Sequence, residues 1–197
     1  MLHVPRLNPE DTALLIVDIQ EKLIGKIHRA EELVENTLFL LKAAQALSVP
    51  IFATEQYPKG LGPTVEALRP FLPACLEKKS FSCLGQGNLG DFLKAEARVK
   101  VVLAGIEAHV CVMQTALDLL NRGFQVFLAV DAISSRYVID YETAIRRMEK
   151  AGCVAATVET VAFELLHGAD HPSFKTVSVL VQERMKQVEL RVHPRQK

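Results

Sequence analysis

Residues 99–123 read VKVVLAGIEAHVCVMQTALDLLNRG. The run Val101-Val102-Leu103-Ala104 has the unbroken apolar character of a buried strand, Gly105 makes a turn, and a helical stretch follows over 109–121 with Gly123 in the C-terminal capping position. Strand, tight turn and helix in that order place the turn at the carboxyl edge of a parallel sheet, where open α/β folds bind ligands. Cys111 falls at that edge. In the first turn of a helix, unpaired backbone N–H groups and the positive end of the dipole favour a thiolate, the reactive form of the side chain. A free cysteine also serves as a small buried apolar filler, so the rest of the chain has to decide between the two.

Working outward, the 197 residues suit one domain, 1–197, large enough to cover both faces of a sheet. Apolar residues make up 49% of the chain and 23 basic residues balance 23 acidic ones, which points away from disorder and from a nucleic-acid partner. Small molecules and further copies of the chain are the expected partners. Cys75, Cys83, Cys111 and Cys153 form no C-x-x-C pair and have no histidines at metal-ligand spacing, so neither a metal nor another cofactor is expected. The first residues, MLHVPRLNPED, lack a signal-peptide core, and no apolar run approaches the roughly 18 residues of a membrane helix. Free thiols in a reducing cytoplasm, away from membranes, are the simplest expectation.

Upstream, 12–18 (TALLIVD) is an apolar run ending in an acid, as a central parallel strand with Asp18 exposed at its carboxyl end reads. A helix over 30–47 presents Leu33, Val34, Leu38, Leu41 and Leu47 on one face, and 51–54 is the second strand. Residues 55–63, EQYPKGLGP, are a loop positioned to roof a pocket, with Glu55 and Tyr57 either contacting substrate or capping the loop itself. Residues 77–84, EKKSFSCL, are a short mixed segment. A helix over 86–97, led by Asn88 with Leu89, Phe92 and Leu93 inward, precedes the central stretch. Gly85-Gln86-Gly87-Asn88 marks a loop rather than a phosphate cradle, so no nucleotide is indicated.

Downstream, 124–130 is a strand closed by Asp131, 141–151 a helix closed by Gly152, 153–156 a short strand and 160–167 a crossover helix. The core therefore spans 11–167. Phe174, Val177, Val181 and Val188 keep helical spacing in a C-terminal helix over about 172–188, which can pack on its own domain or on a neighbouring subunit, and the tail after Leu190 should fray. Strands alternating with helices predict an α/β, doubly wound, Rossmann-like domain with a mostly parallel sheet of about six strands and helices on both faces.

Three spaced motifs, L-I-V-D-I-Q ending at Gln20, K-K-S-F-S ending at Ser82 and A-G-I-E-A-H-V-C-V ending at Val112, resemble those of the isochorismatase-like hydrolases. This is the cysteine hydrolase superfamily that includes nicotinamidases and N-carbamoylsarcosine amidohydrolase. The run T-E-Q-Y-P-K-G-L-G-P-T at 54–64 is most similar to the isochorismatase domain-containing branch. The resemblance implies an Asp, Lys, Cys triad matched by Asp18, Lys78 and Cys111. Lys78 stands four residues before Ser82, as the family lysine does, and Lys79 is the alternative. It also implies a cis peptide at Ile106-Glu107 and an oxyanion site from the Cys111 and Glu107 N–H groups. Gln20, Glu55, Tyr57 and His109 are candidates for the substrate pocket, and Asp131, Ser134 and Ser135 for its far side. His109, two residues from Cys111 on a helix, does not face it and reads as pocket lining or packing.

Nicotinamidases carry an Asp-x-His metal motif where this chain has Glu55-Gln56-Tyr57-Pro58, which argues against a metal and against nicotinamide. Several isochorismatases do without the cysteine, so Cys111 favours an amide, imide or carbamoyl C–N bond, cleaved through a thioester. Isochorismatase-type vinyl ether hydrolysis is the alternative within enzymes. A catalytically idle binding protein with a redox-sensitive thiol is the alternative outside them.

Overall fold

The computed structural model describes residues 5–85 and 89–192. The expectations for Asn88, for the glycine cluster beyond Gly85 and for the tail past Val192 lie outside these residues, as does the side chain of Val188. Six strands, β1 (Thr12–Val17), β2 (Ile51–Gln56), β3 (Leu76–Lys78), β4 (Lys100–Ile106), β5 (Gln125–Ser134) and β6 (Val154–Ala156), pair in parallel in the order β3-β2-β1-β4-β5-β6. The helices are α1 (Glu21–Ile24), α2 (Ala30–Ala46), α3 (Pro58–Leu61), α4 (Leu89–Ala95), α5 (Met113–Asn121), α6 (Val138–Ala151), α7 (Val158–Leu166) and α8 (Phe174–Val192). In a sheet of this order the chain reverses direction between β1 and β4, which opens a crevice outside their carboxyl ends. Asp18 follows β1 and the Cys111 segment follows β4 at that crevice.

Unbroken apolar strands suit a sheet covered on both faces. Ala13, Leu15 and Val17 of β1 face one layer with Val101 and Leu103 of β4, against α4, α5 and α6. Leu14 and Ile16 face the other with Val102, Ala104 and Ile106, against α2, α7 and α8. The amphipathic C-terminal helix thus packs on its own domain, with Val177 fully buried. Its Arg184 binds Asp131 at 3.1 Å, Asn36 at 3.0 Å and Glu159 at 3.2 Å.

Several sequence expectations change. β4 continues through Gly105 to Ile106, because Gly105 sits at φ 132 where a Cβ would meet the Val17 carbonyl oxygen at 2.1 Å. Glycine is there for close approach of β1 rather than for a turn. Gly105→Ala should therefore cost about 3 kcal/mol or more, combining backbone strain with overpacking. Its urea unfolding midpoint, compared with that of the parent, checks this. Residues 55–63 are not all loop: β2 runs on to Gln56 and Pro58–Leu61 form a helical turn. β3 overlaps the start of the segment read as mixed. Phe92 is 49% exposed and stacks edge-on to Phe52, whereas Leu89 and Leu93 are buried as expected.

β5 extends past Asp131 to Ser134. Leu103 pairs with Leu128 and Gly105 with Ile133, so two steps along β4 match five along β5. The odd excess flips the inward face, turning Asp131 from a strand-end acid into a bulge residue. Its carboxylate accepts from the Val158 N–H at 2.8 Å and from Arg184.

Candidate active site

Asp18 adopts φ 52 immediately after β1 and is 1% exposed, so the acid read as an exposed strand-end residue is in fact buried. Its Oδ2 accepts from Lys78 Nζ at 2.6 Å and its Oδ1 from the Thr54 hydroxyl at 2.8 Å. Of the two adjacent lysines, Lys78 turns into the protein from β3 and reaches this carboxylate. The ammonium also faces Gln56 Oε1 at 2.8 Å and the carbonyls of Phe81 at 3.0 Å and Ser80 at 3.3 Å. Four acceptors surround three N–H bonds, so the ammonium is held in place as a fixed positive charge.

Thr54 and Gln56 escaped the sequence analysis. They stand two apart on β2, hence on one face, and Val17 pairs with Thr54 while Gln56 pairs with Lys78. That register brings acid and lysine together. The available signal was the alternation continuing past Thr54, hidden by the turn-forming residues that follow.

Cys111 lies in a single widened π-type turn, Ala108–Val112, that leads into α5. The Glu107 carbonyl accepts from Val110 N–H at 3.1 Å and Val112 N–H at 3.2 Å, and the Cys111 N–H between them is not among its donors. The Ile106-Glu107 peptide is cis. Cys111 is 7% exposed, and the Asp18 carboxylate and the Lys78 ammonium both act on its thiol. Burial pushes its titration well above the ordinary thiol range, Asp18 adds to this, and Lys78 pulls the other way. Desolvation and a carboxylate from another strand oppose the helix-end stabilisation of a thiolate expected from the sequence. Cys83, next to Thr54 at 3.6 Å, is likewise pushed up by burial, to about 11.

The remaining candidates are placed as follows. Gln20 is fully buried and donates to the carbonyls of Gln56 at 3.0 Å and Gly62 at 2.6 Å, while accepting from Gln56 N–H at 2.8 Å. Its amide binds the β2 terminus. Glu55 accepts from the Thr64 N–H at 2.6 Å and hydroxyl at 2.8 Å, which is the capping alternative. Tyr57 is half exposed and lines a groove of about 500 Å³ with Lys59, Glu77, Lys78 and Lys79. His109 meets Ser135 Oγ at 3.0 Å through Nδ1 and Asp140 at 3.7 Å through Nε2. Glu107 receives the Arg136 backbone N–H at 3.1 Å and its Nε at 3.0 Å. Ser134 donates to the His28 carbonyl at 2.7 Å. Among the described residues, no three His, Cys, Asp or Glu side chains converge on a metal position, and no helix is long and apolar enough to cross a membrane.

Fold and site together define a doubly wound parallel α/β domain with a buried cysteine near a buried acid–lysine pair at its β1/β4 crevice. The chain belongs to the isochorismatase family, whose domain model, Isochorismatase domain, matches residues 12–160. Isochorismatase domain-containing protein 2A of Mus musculus is 39% identical over 184 residues, covering 90% of this chain and 86% of the mouse protein. The structure of a protein described as MAR1 ribonuclease, from Caenorhabditis elegans, is 42% identical, with a TM-score of 0.86 over 90% of this chain and 93% of that one. The YcaC gene product of Escherichia coli, described as an octameric hydrolase of unknown specificity, is 25% identical with a TM-score of 0.83, covering 96% of this chain and 100% of that one.

Proposed function

We propose that the protein is a metal-independent cysteine hydrolase that cleaves a C–N bond in a small amide, imide or carbamoyl substrate. The observation carrying this reading is the buried Asp18–Lys78 pair, 2.6 Å apart, with the buried Cys111 at the same crevice. As Cys111 Sγ bonds to the substrate carbonyl carbon, its proton passes to Asp18 and the carbonyl oxygen takes up the negative charge. The Cys111 N–H at the widened turn and the Glu107 N–H are assigned to that oxygen. The tetrahedral adduct collapses, the C–N bond breaks, and the nitrogen leaves with the proton held by Asp18. Water, deprotonated by Asp18, then attacks the thioester, and release of the acid restores the thiol.

Lys78 spends its donors on Asp18, Gln56 and two carbonyls. Its part is therefore to hold positive charge beside the acid and the sulfur rather than to grip substrate. Tyr57, at the groove beside Lys78, is the pocket candidate with free aromatic surface. Gln20 and Glu55 shape the pocket only through the backbone they hold.

Ammonia or amine release from a panel of small amides, imides and carbamoyl compounds tests the reading. Release by the parent and none by Cys111→Ala is expected, and equal release by both overturns it. The C. elegans relative, described as a ribonuclease, favours a second activity, RNA cleavage. The same two preparations incubated with RNA separate the activities, because Cys111-dependent RNA cleavage without amide cleavage would replace the first reading with the second.

We also propose a homo-oligomer. The support is the octameric E. coli relative and the exposed Tyr137 and Ile139, since α8 already buries its apolar face on its own domain. Native mass spectrometry should give a multiple of 21.8 kDa, and a monomer at micromolar concentration contradicts this.

A further inference from the structure

Thr54 carries a hydroxyl where packing alone calls for none. It is 3% exposed on a central strand, a setting that valine fills without a polar atom to satisfy. The hydroxyl donates to Asp18 Oδ1 at 2.8 Å and touches Cys83 Sγ at 3.6 Å. The other carboxylate oxygen is held from a different strand by Lys78 at 2.6 Å. One donor fixes a point on a carboxylate and leaves rotation about Cβ–Cγ open, a torsion that is intrinsically broad. A second donor, on the other oxygen, fixes the plane.

We propose that Thr54 is a positioning residue for Asp18, holding the plane of its carboxylate and spreading its charge so that Asp18 takes up the Cys111 proton and gives it up again. This rests on the reading of Asp18 as the base. Lys78 from β3 and Thr54 from β2 bond to Asp18, Cys83 lies against the Thr54 hydroxyl, the Cys111 thiol feels the Asp18 charge, and Lys78 is the cation among them. A hydroxyl donor spreads the carboxylate charge. Without it the carboxylate grips the thiol proton more strongly, and Cys111 becomes less reactive at a given pH.

The test is the rate of Cys111 alkylation by iodoacetamide across pH in the full chain, read by peptide mass spectrometry, with thermal unfolding alongside. Thr54→Val keeps the volume and removes the hydroxyl, whereas Thr54→Ser keeps the hydroxyl and removes a methyl. Valine should slow alkylation at neutral pH by roughly threefold or more, with serine tracking the parent. A merely structural role gives the opposite pattern, valine normal and serine impaired, and that result or two unshifted profiles overturns the proposal. Should the valine variant not fold, Thr54→Ala reads the same loss of hydroxyl. Asp18→Asn in the same series separates the two levels. If it leaves the Cys111 profile unchanged, the Asp18 reading fails. If it moves the profile and valine does not, only the role of Thr54 fails.

Discussion

Asp18→Asn should make Cys111 more reactive toward iodoacetamide at neutral pH and, on the proposed mechanism, abolish turnover. The two effects have separate causes. In the parent, burial raises the thiol's titration most, the Asp18 charge adds to it, and Lys78 lowers it. Asparagine removes the charge and leaves Lys78 buried at 5% exposure without a carboxylate, so a Cys111 thiolate becomes its natural counter-ion. An opposite charge at such range is worth one to three pKa units, and alkylation should quicken by about tenfold or more. On the proposed mechanism hydrolysis should stop, because asparagine can neither store the thiol proton nor return it to the leaving nitrogen. Asparagine is also the right substitution structurally, since position 18 sits at φ 52, a left-handed conformation it tolerates better than most residues. Alkylation kinetics and turnover on one preparation check both halves.

Lys78→Met reverses the first effect. It leaves a buried Asp18 carboxylate without its cation and strips a donor from Gln56 and from the Ser80 and Phe81 carbonyls. Breaking a buried pair on one side costs about 3 to 5 kcal/mol, so the unfolding midpoint should drop clearly. The thiol loses the one charge pulling its titration down. Alkylation at neutral pH should slow by about tenfold, and the profile should move to higher pH. Opposite shifts from the two partners of a single ion pair would be difficult to attribute to general loosening, which accelerates alkylation in both. Faster alkylation in Lys78→Met would show that Lys78 does not act on the sulfur.

The parts of this site differ in how far the sequence discloses them. β1 and β4 are visible because strands buried on both faces need unbroken apolar residues, and Asp18 and Cys111 are visible at their ends. β3 is three residues long with Leu76 and Glu77 exposed, so no hydrophobic pattern marks it. The hold of Thr54 on Asp18 and of Gln56 on Lys78 depends on the pairing of β2 with β1 and β3, which no single strand encodes. Asp131 misleads because its strand passes through a bulge and continues. The electrostatics at Cys111 are legible only in part for a related reason: helix-end stabilisation is local, whereas the opposing carboxylate arrives from a strand far away in sequence.

The measurement that bears most directly on the central claim is an acid quench during turnover of whichever panel amide releases ammonia or amine, followed by peptide mass spectrometry of all four cysteines. The account predicts an acyl group of the substrate on Cys111 alone, discharged when turnover is allowed to run to completion. Turnover with no acyl group on Cys111, or turnover undiminished in Cys111→Ala, contradicts it.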